Sequence, residues 1–273
     1  MPYKQNLHTH SSFCDGRNTP EEIVQEAIER GFDSVGFSMH SYVPFSPIGS
    51  GLDGIEAYKK EIRRLKEVYE DRLKIYLGIE YDIFSNHSPE GFEYSIGSVH
   101  CLESNGVCFD FDGKLDKILN IIQQYFHGDS MQLAKSYYET VATIPRYGNF
   151  DILGHFDLII KNNEKGRFLD TSSAQYLGYA KDAIHAIKGK ISMFEVNTGC
   201  VARGYRSSAY PQMELLREFK ECGFGAVITS DCHKKEFLDF CFDDAKAMLK
   251  AVGYDSIYVL TDRGFVESPL DER

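Results

Sequence analysis

Seven short apolar runs, each ending in a side chain able to bind a metal or accept hydrogen bonds, constrain this chain more than any other feature of its sequence. Leu7 leads to His8-Thr9-His10, residues 34–38 lead to His40, 74–79 to Glu80 and 94–99 to His100. Residues 151–154 then lead to His155, 192–196 to Asn197 and 225–230 to Asp231-Cys232-His233. Strand and helix patterns alternate along the chain with few interruptions, which predicts an α/β fold built on a parallel sheet. In a barrel of parallel strands all carboxyl ends open on one face. Side chains up to 225 residues apart are therefore expected to converge there.

The first of these motifs shows the local logic. An extended segment sends alternate side chains to one face, so His8 and His10 point two imidazoles the same way, and Asp15 follows on the turn. Thr19-Pro20-Glu21-Glu22 then reads as a helix start, with a capping hydroxyl, a proline in the first turn and a capping-box glutamate. A pair of histidines at this spacing is weak evidence alone. Of the nine histidines, however, six (His8, His10, His40, His100, His155, His233) lie just past an apolar run, whereas His87, His127 and His185 do not. Glu80 directly follows such a run, where a carboxylate is costly unless paired or metal-bound, and Asp82 is a weaker candidate.

Composition narrows the function classes. A formal net charge of -11 with no Lys/Arg cluster argues against long nucleic acid or an anionic membrane as partner. No apolar leader and no membrane-length apolar run is visible, which predicts a cytoplasmic protein. Seven scattered cysteines without a C-x-x-C pair suit free thiols, and Cys232 alone is expected near the chemistry, as a small filler.

Residues 1–273 read as a single domain. Helices are expected from Pro20 to Arg30, over 55–69 with Ile62, Leu65 and Val68 as the buried stripe, over 172–188, 211–223 and 240–252. A loop at 41–54 carrying Tyr42, Phe45 and Leu52 is long enough to act as a lid. An insertion at about 103–150 reads as two helices, 114–126 and 130–146. Arg17, Arg167, Arg203 and Arg206 fall on loops of the same barrel face, with Arg203 the first choice for binding phosphate oxygens. Asn197 and Glu195 face the site or satisfy backbone, and Asp157 or Glu195 would offer a counter-charge to a cationic ligand.

The motifs His8-Thr9-His10 with Asp15, then His40, Glu80, His100, His155 and Asp231-Cys232-His233 resemble, in this order, those of the PHP (polymerase and histidinol phosphatase) superfamily. Length, lone-domain character and the insertion after His100 resemble its histidinol-phosphate phosphatase branch. The resemblance implies a distorted seven-stranded (β/α)7 TIM-like barrel with three divalent metal ions in its mouth, of zinc, iron or manganese. By the same resemblance His8, His10, Glu80 and Asp231 would hold the first ion, and a bridging Glu80 with His100 and His155 the second. Asp15, His40 and His233 would hold the third. Many members have His where this chain has Asp15, and an acidic residue where it has Met39.

The implied chemistry is hydrolysis of a phosphate monoester, L-histidinol phosphate, in histidine biosynthesis. Glu80, Asp231 and His233 would be catalytic, with Asp231 or His233 protonating the leaving alkoxide, and Arg203, Arg167, Arg17 and Asn197 would bind substrate. A PHP-type nuclease or nucleotide phosphatase is the main rival and a protein-tyrosine phosphatase a weaker one. A metal-dependent amidohydrolase would leave Asp15 and His40 unexplained, and a storage module has little use for open coordination positions.

Overall fold

The computed structural model describes residues 3–46, 52–86, 88 and 90–271. In chain order the elements are β1 (Gln5–Asn6), α1 (Pro20–Glu29), β2 (Ser34–His40), α2 (Leu52–Val68), β3 (Lys74–Asp82), β4 (Tyr94–Ser98), β5 (Cys101–Ser104) and β6 (Val107–Asp110). They continue with α3 (Leu115–Phe126), α4 (Ser130–Val141), β7 (Ile152–Leu153), α5 (Ala174–Ile187), β8 (Met193–Asn197), α6 (Gly199–Ala202), α7 (Met213–Glu221), β9 (Gly225–Thr229), α8 (Phe242–Ala251), β10 (Ser256–Thr261) and β11 (Gly264–Pro269).

Seven parallel strands run in the order β1-β2-β3-β4-β7-β8-β9. The ring is nearly closed, because Thr9 bridges Cys232 across the gap and His10 N donates to the Cys232 carbonyl at 2.8 Å. This is the distorted seven-stranded barrel that the family resemblance implies. Its interior is filled by Leu7, Tyr76, Tyr94, Ile96, Ile152, Met193, Val227 and Leu260. Tyr94 is fixed among them by its hydroxyl, whose donor is shared between the carbonyls of Leu7 and Phe37. Gly78 makes room for that ring, since a Cβ there would stand 2.2 Å from Tyr94 Cζ. The helices bury the outer faces of the strands.

Local expectations hold where a chemical signal sets them. Thr19 caps α1, with Glu22 completing the capping box as read from the sequence. The stripe of α2 differs: Ile55, Tyr58, Ile62 and Leu65 are buried, but Val68 is 57% exposed and Tyr69 takes its place. Successive helical residues turn by about 100°, and that rotation carries Val68 off the buried face. The insertion holds the two expected helices, α3 and α4, but α4 stops at Val141, ahead of a short 3-10 turn at Ile144–Arg146. Pro145 has no N–H to bond the Val141 carbonyl four residues back, which ends the α-helical ladder there.

Two hairpins were not foreseen. β5 and β6 pair antiparallel through Asn105 (φ 52°) and Gly106 (φ 78°), a turn whose two positive φ values suit Asn-Gly. β10 and β11 form a second hairpin, which covers the amino-terminal end of the barrel. Gln5 ties it there, its side chain accepting from Leu260 N and donating to Leu260 O, both at 2.8 Å. Among the described residues no helix is long and apolar enough to cross a membrane.

Candidate metal centre

The strand ends deliver nine side chains to one place. Glu80, at the end of β3, is buried at their centre, and its two oxygens face different partners. Oε2 lies 3.2 Å from His8 Nε2, 3.4 Å from His10 Nε2 and 2.8 Å from His40 Nδ1. Oε1 lies 2.8 Å from His155 Nε2 and 3.2 Å from His100 Nε2. Asp231 Oδ1 completes the first group, at 3.2 Å from His10 Nε2 and 3.7 Å from His8 Nε2. On the outer side Asp15 approaches His233 Nε2 at 3.0 Å and His40 Nε2 at 3.5 Å. Ligand atoms close enough to share an ion form overlapping groups: His10, Asp15, His40 and His233; His8, His155 and Asp231; His8, His10 and Glu80; and His40, Glu80 and His100.

Hydrogen bonds alone do not satisfy this cluster. His8 Nε2, His10 Nε2 and Glu80 Oε2 are buried, within 3.4 Å as donor-acceptor contacts, and without a properly directed hydrogen bond. Each such atom left unpaired would cost about 1–3 kcal/mol. A cation among them meets all three at once, and a donor set of imidazole and carboxylate without thiolate suits zinc, iron or manganese. The residues therefore fit divalent metal ions.

Outer carboxylates fix which imidazole nitrogen is free. Glu195 Oε2 stands 2.9 Å from His8 Nδ1, and Asp82 Oδ2 stands 3.2 Å from His100 Nδ1. A proton on each Nδ1 leaves Nε2 with its lone pair toward Glu80. Burial would raise the pKa values of Glu80 and Glu195, but the neighbouring histidines outweigh it and hold both low, Glu80 well below the carboxylate range. Burial likewise opposes ionisation of Asp231, and the Arg203 guanidinium at 2.8 Å reverses it. His10 is lowered to about 3 by burial and by the charges of His40 and His233. Asp231 sits at φ 46°, a strained backbone for a non-glycine residue and one commonly retained at functional sites.

A pocket of about 210 Å³ opens over the cluster, lined by Asp15, His40, Glu80, His100, His155, Asp231 and His233 together with Asp112, Leu158, Lys161, Arg203 and Tyr205. A larger cavity, about 660 Å³, lies elsewhere, between the β1 end and α8, and its lining lacks the imidazoles that give the smaller one its chemistry.

The substrate-binding candidates separate. Arg203 reaches the pocket, bonding Asp231 Oδ2 and lying 2.8 Å from His233 Nδ1. Arg17 lines an adjoining lobe, while Arg167 is exposed and lines neither. Arg206 turns inward, donating to Ile160 O. Asn197 is fully buried and spent internally, donating to Glu195 Oε1 and accepting from Gly199 N. It orients Glu195 rather than meeting a ligand. Asp157 and Glu195 are also fully buried, so neither is an exposed counter-charge; Asp157, raised to about 6 chiefly by burial, accepts from Gln212 N.

Sequence reading missed Asp112 and Lys161, which face the pocket joined by a 2.6 Å ion pair. It also passed over Cys14, whose thiol lies 3.4 Å from His10 Nδ1, whereas the Cys232 thiol donates to Lys234 O as a buried filler. The proposed lid is partly outside the described residues (47–51). Its described part packs Phe45 on Phe84, and residues 41–46 contribute nothing to the pocket lining.

Comparisons with known proteins agree with this architecture. A "Probable histidinol-phosphatase" of Deinococcus radiodurans is 29% identical over 263 residues, covering 90% of this chain and 92% of its own. The "Histidinol-phosphatase" of Bacillus subtilis is 24% identical, covering 88% and 97%. Among solved structures, histidinol phosphate phosphatase from Lactococcus lactis, complexed with zinc, L-histidinol and phosphate, superposes with a TM-score of 0.69 at 20% identity over 96% of this chain and 98% of that one. The family model for the PHP domain matches residues 6–199, which include His8 to His155 of the cluster, and the chain belongs to the PHP domain family.

Proposed function

We propose that this chain is a metal-dependent phosphomonoesterase of the cytoplasm that hydrolyses L-histidinol phosphate to L-histidinol and phosphate, a step of histidine biosynthesis, with residues 1–273 as one domain. The observation that carries the reading is the buried nitrogen and oxygen cluster under a small pocket to which Arg203 and Lys161 add positive charge. The names of the relatives support the substrate.

His8, His10, Glu80 and Asp231 would hold one divalent ion, Glu80, His100 and His155 a second, and Asp15, His40 and His233 a third. Bound there, such ions neutralise phosphate oxygens and lower the pKa of a coordinated water to about 7. The chain's own groups do the rest. Arg203, whose fork already meets Asp231 and His233, would turn its remaining N–H donors to the phosphoryl oxygens, and Lys161 would add a point charge from the same pocket lining. Arg203 also holds Asp231 ionised and so available as a ligand, and Asp231 or His233 would pass the proton of the attacking water to the leaving alkoxide. His233 Nδ1 accepts from Arg203 at 2.8 Å and so helps hold the guanidinium against Asp231. Once Lys161 turns from Asp112 to the phosphate, Asp112 would be the counter-charge that the ammonium of histidinol requires.

The test is kcat/KM for purified, metal-reconstituted protein on histidinol phosphate, a nucleoside monophosphate, phosphotyrosine and a phosphodiester. Histidinol phosphate should lead. A tenfold preference for another member, about 1.4 kcal/mol of transition-state binding, would overturn the substrate assignment.

A further inference from the structure

The mouth of the barrel has a second lobe. It shares Asp15, Arg203, Tyr205, Asp231 and His233 with the pocket over the histidines, and it continues for about 290 Å³ toward Arg17, Lys234 and Phe237. The carboxylates of this lobe are already engaged, Asp231 by Arg203 and Asp15 by His233 and His40. Its outer cations are not. Elsewhere in this acidic protein Lys4 and Arg30 both pair with Asp239, and Lys161 with Asp112, but among the described residues Arg17 and Lys234 form no ion pair.

Their placement is built into the backbone. Arg17 N donates to His233 O at 2.9 Å and Lys235 N to Asn18 Oδ1 at 3.0 Å, which stitches the two loops together. Gly16 lets the first loop fold this tightly, since a Cβ there would meet the His10 carbonyl at 2.5 Å. Lys234 extends over the Phe237 ring, 5.7 Å from its centre, so an apolar wall backs the charge.

We infer that this lobe is a second anion subsite, and that the protein also hydrolyses small phosphate monoesters whose organic half ends in a carboxylate or another phosphate. The inference rests on the phosphatase reading above only in placing a phosphoryl group at the histidines. With the phosphoryl group there, the tail anion lies against Arg17 and Lys234. The reaction is the same hydrolysis: water oxygen bonds to phosphorus, the ester P–O bond breaks, and the water proton passes to the alkoxide. A tail carrying an ammonium is repelled from this lobe and turns the other way, toward Asp112 and Leu158. Tails of opposite charge thus leave the phosphate in opposite directions.

A matched pair of substrates tests this: sn-glycerol 3-phosphate and 3-phosphoglycerate share a three-carbon skeleton and differ in a neutral hydroxymethyl against a carboxylate. The metal-loaded protein should favour the acid by at least tenfold in kcat/KM, with the ratio falling as salt screens the lobe. Lys234→Glu should lower that ratio at least tenfold through KM for the acid, and Arg17→Ala should lower it in the same direction. A ratio near one in the unaltered protein, or one that neither variant moves, overturns the subsite. Histidinol phosphate measured alongside separates the two ideas: its turnover without preference for the acid refutes the subsite alone, whereas inactivity on every ester refutes the phosphatase reading and the subsite together.

Discussion

Replacing Glu195 by Gln should weaken metal binding without touching a proposed ligand, and the hydrogen bonds show how. Glu195 accepts four: from His8 Nδ1 (2.9 Å) and Thr229 Oγ1 (2.8 Å) at Oε2, and from His155 N (2.6 Å) and Asn197 Nδ2 (2.8 Å) at Oε1. Glutamine keeps the shape but has one acceptor oxygen. If its NH2 faces His155 N, a main-chain donor that cannot turn loses its partner, and Asn197 cannot flip because its Oδ1 accepts from Gly199 N. A buried donor stranded in this way costs about 1–3 kcal/mol. In the other orientation the Thr229 hydroxyl rotates to accept, and His8 moves its proton from Nδ1 to Nε2. That orientation is cheaper in hydrogen bonds, yet it puts a hydrogen on the nitrogen that faces Glu80 Oε2 at 3.2 Å. The metal affinity of the group formed by His8, His10, Glu80 and Asp231 should fall by about 10 to 100-fold, the range for losing an outer partner of a ligating histidine. Competition titration of manganese or zinc against a chelator measures it, with unfolding of the metal-free protein as a control for the fold. Activity should return in part as metal is raised. An affinity within twofold of the unaltered protein would refute the tautomer argument.

Elemental analysis after reconstitution with manganese, iron or zinc should give close to three ions per chain, and a value that stays at or below one would contradict the three-group division of the donors. Arg203→Lys keeps the charge but not the fork that meets both Asp231 and His233, so KM for a phosphate monoester should rise at least tenfold; an unchanged KM in steady-state assays would move the phosphate contact to Lys161. Gly78→Ala places a methyl group 2.2 Å from the Tyr94 ring and should destabilise the barrel by about 1–3 kcal/mol in denaturant unfolding, an overpacking cost. Unaltered stability there would mean that Tyr94 can leave the barrel interior.

The cluster of nine side chains was legible because all but Asp15 are tied to a local pattern, an apolar strand and the residues just past it. Cβ alternation and the common polarity of parallel strands then bring the nine together without any knowledge of tertiary contacts. What sequence left obscure depends on pairing at long range. Lys161 sits in a polar run that reads as solvated surface, and only the 3-10 turn at Leu158–Ile160 aims it at Asp112. Asn197 stands at a strand end like the true members of the cluster, but Glu195 and Gly199 consume its amide. Arg167 shares a loop face with Arg203 and still lies outside the pocket, since loop membership does not fix side-chain direction. The hairpin at Asn105-Gly106 is a different case: its turn chemistry was present in the sequence and the helical expectation for the insertion passed over it.

The tie between Gln5 and Leu260 orders events during synthesis. The first strand of the barrel cannot complete its contacts until residues more than 250 positions later have left the ribosome. The edges of β1 and β9 stand open until the residues near Cys232 emerge, and until Leu260 follows the apolar side chains that will fill the barrel have no cover at its amino-terminal end. Contacts of such sequence separation form slowly, and exposed strand edges invite association between chains. The nascent protein therefore carries its greatest aggregation hazard late in translation, with nearly all of its helices already made, and a chaperone that shields the β1 edge at that stage would be expected to raise the yield of active enzyme.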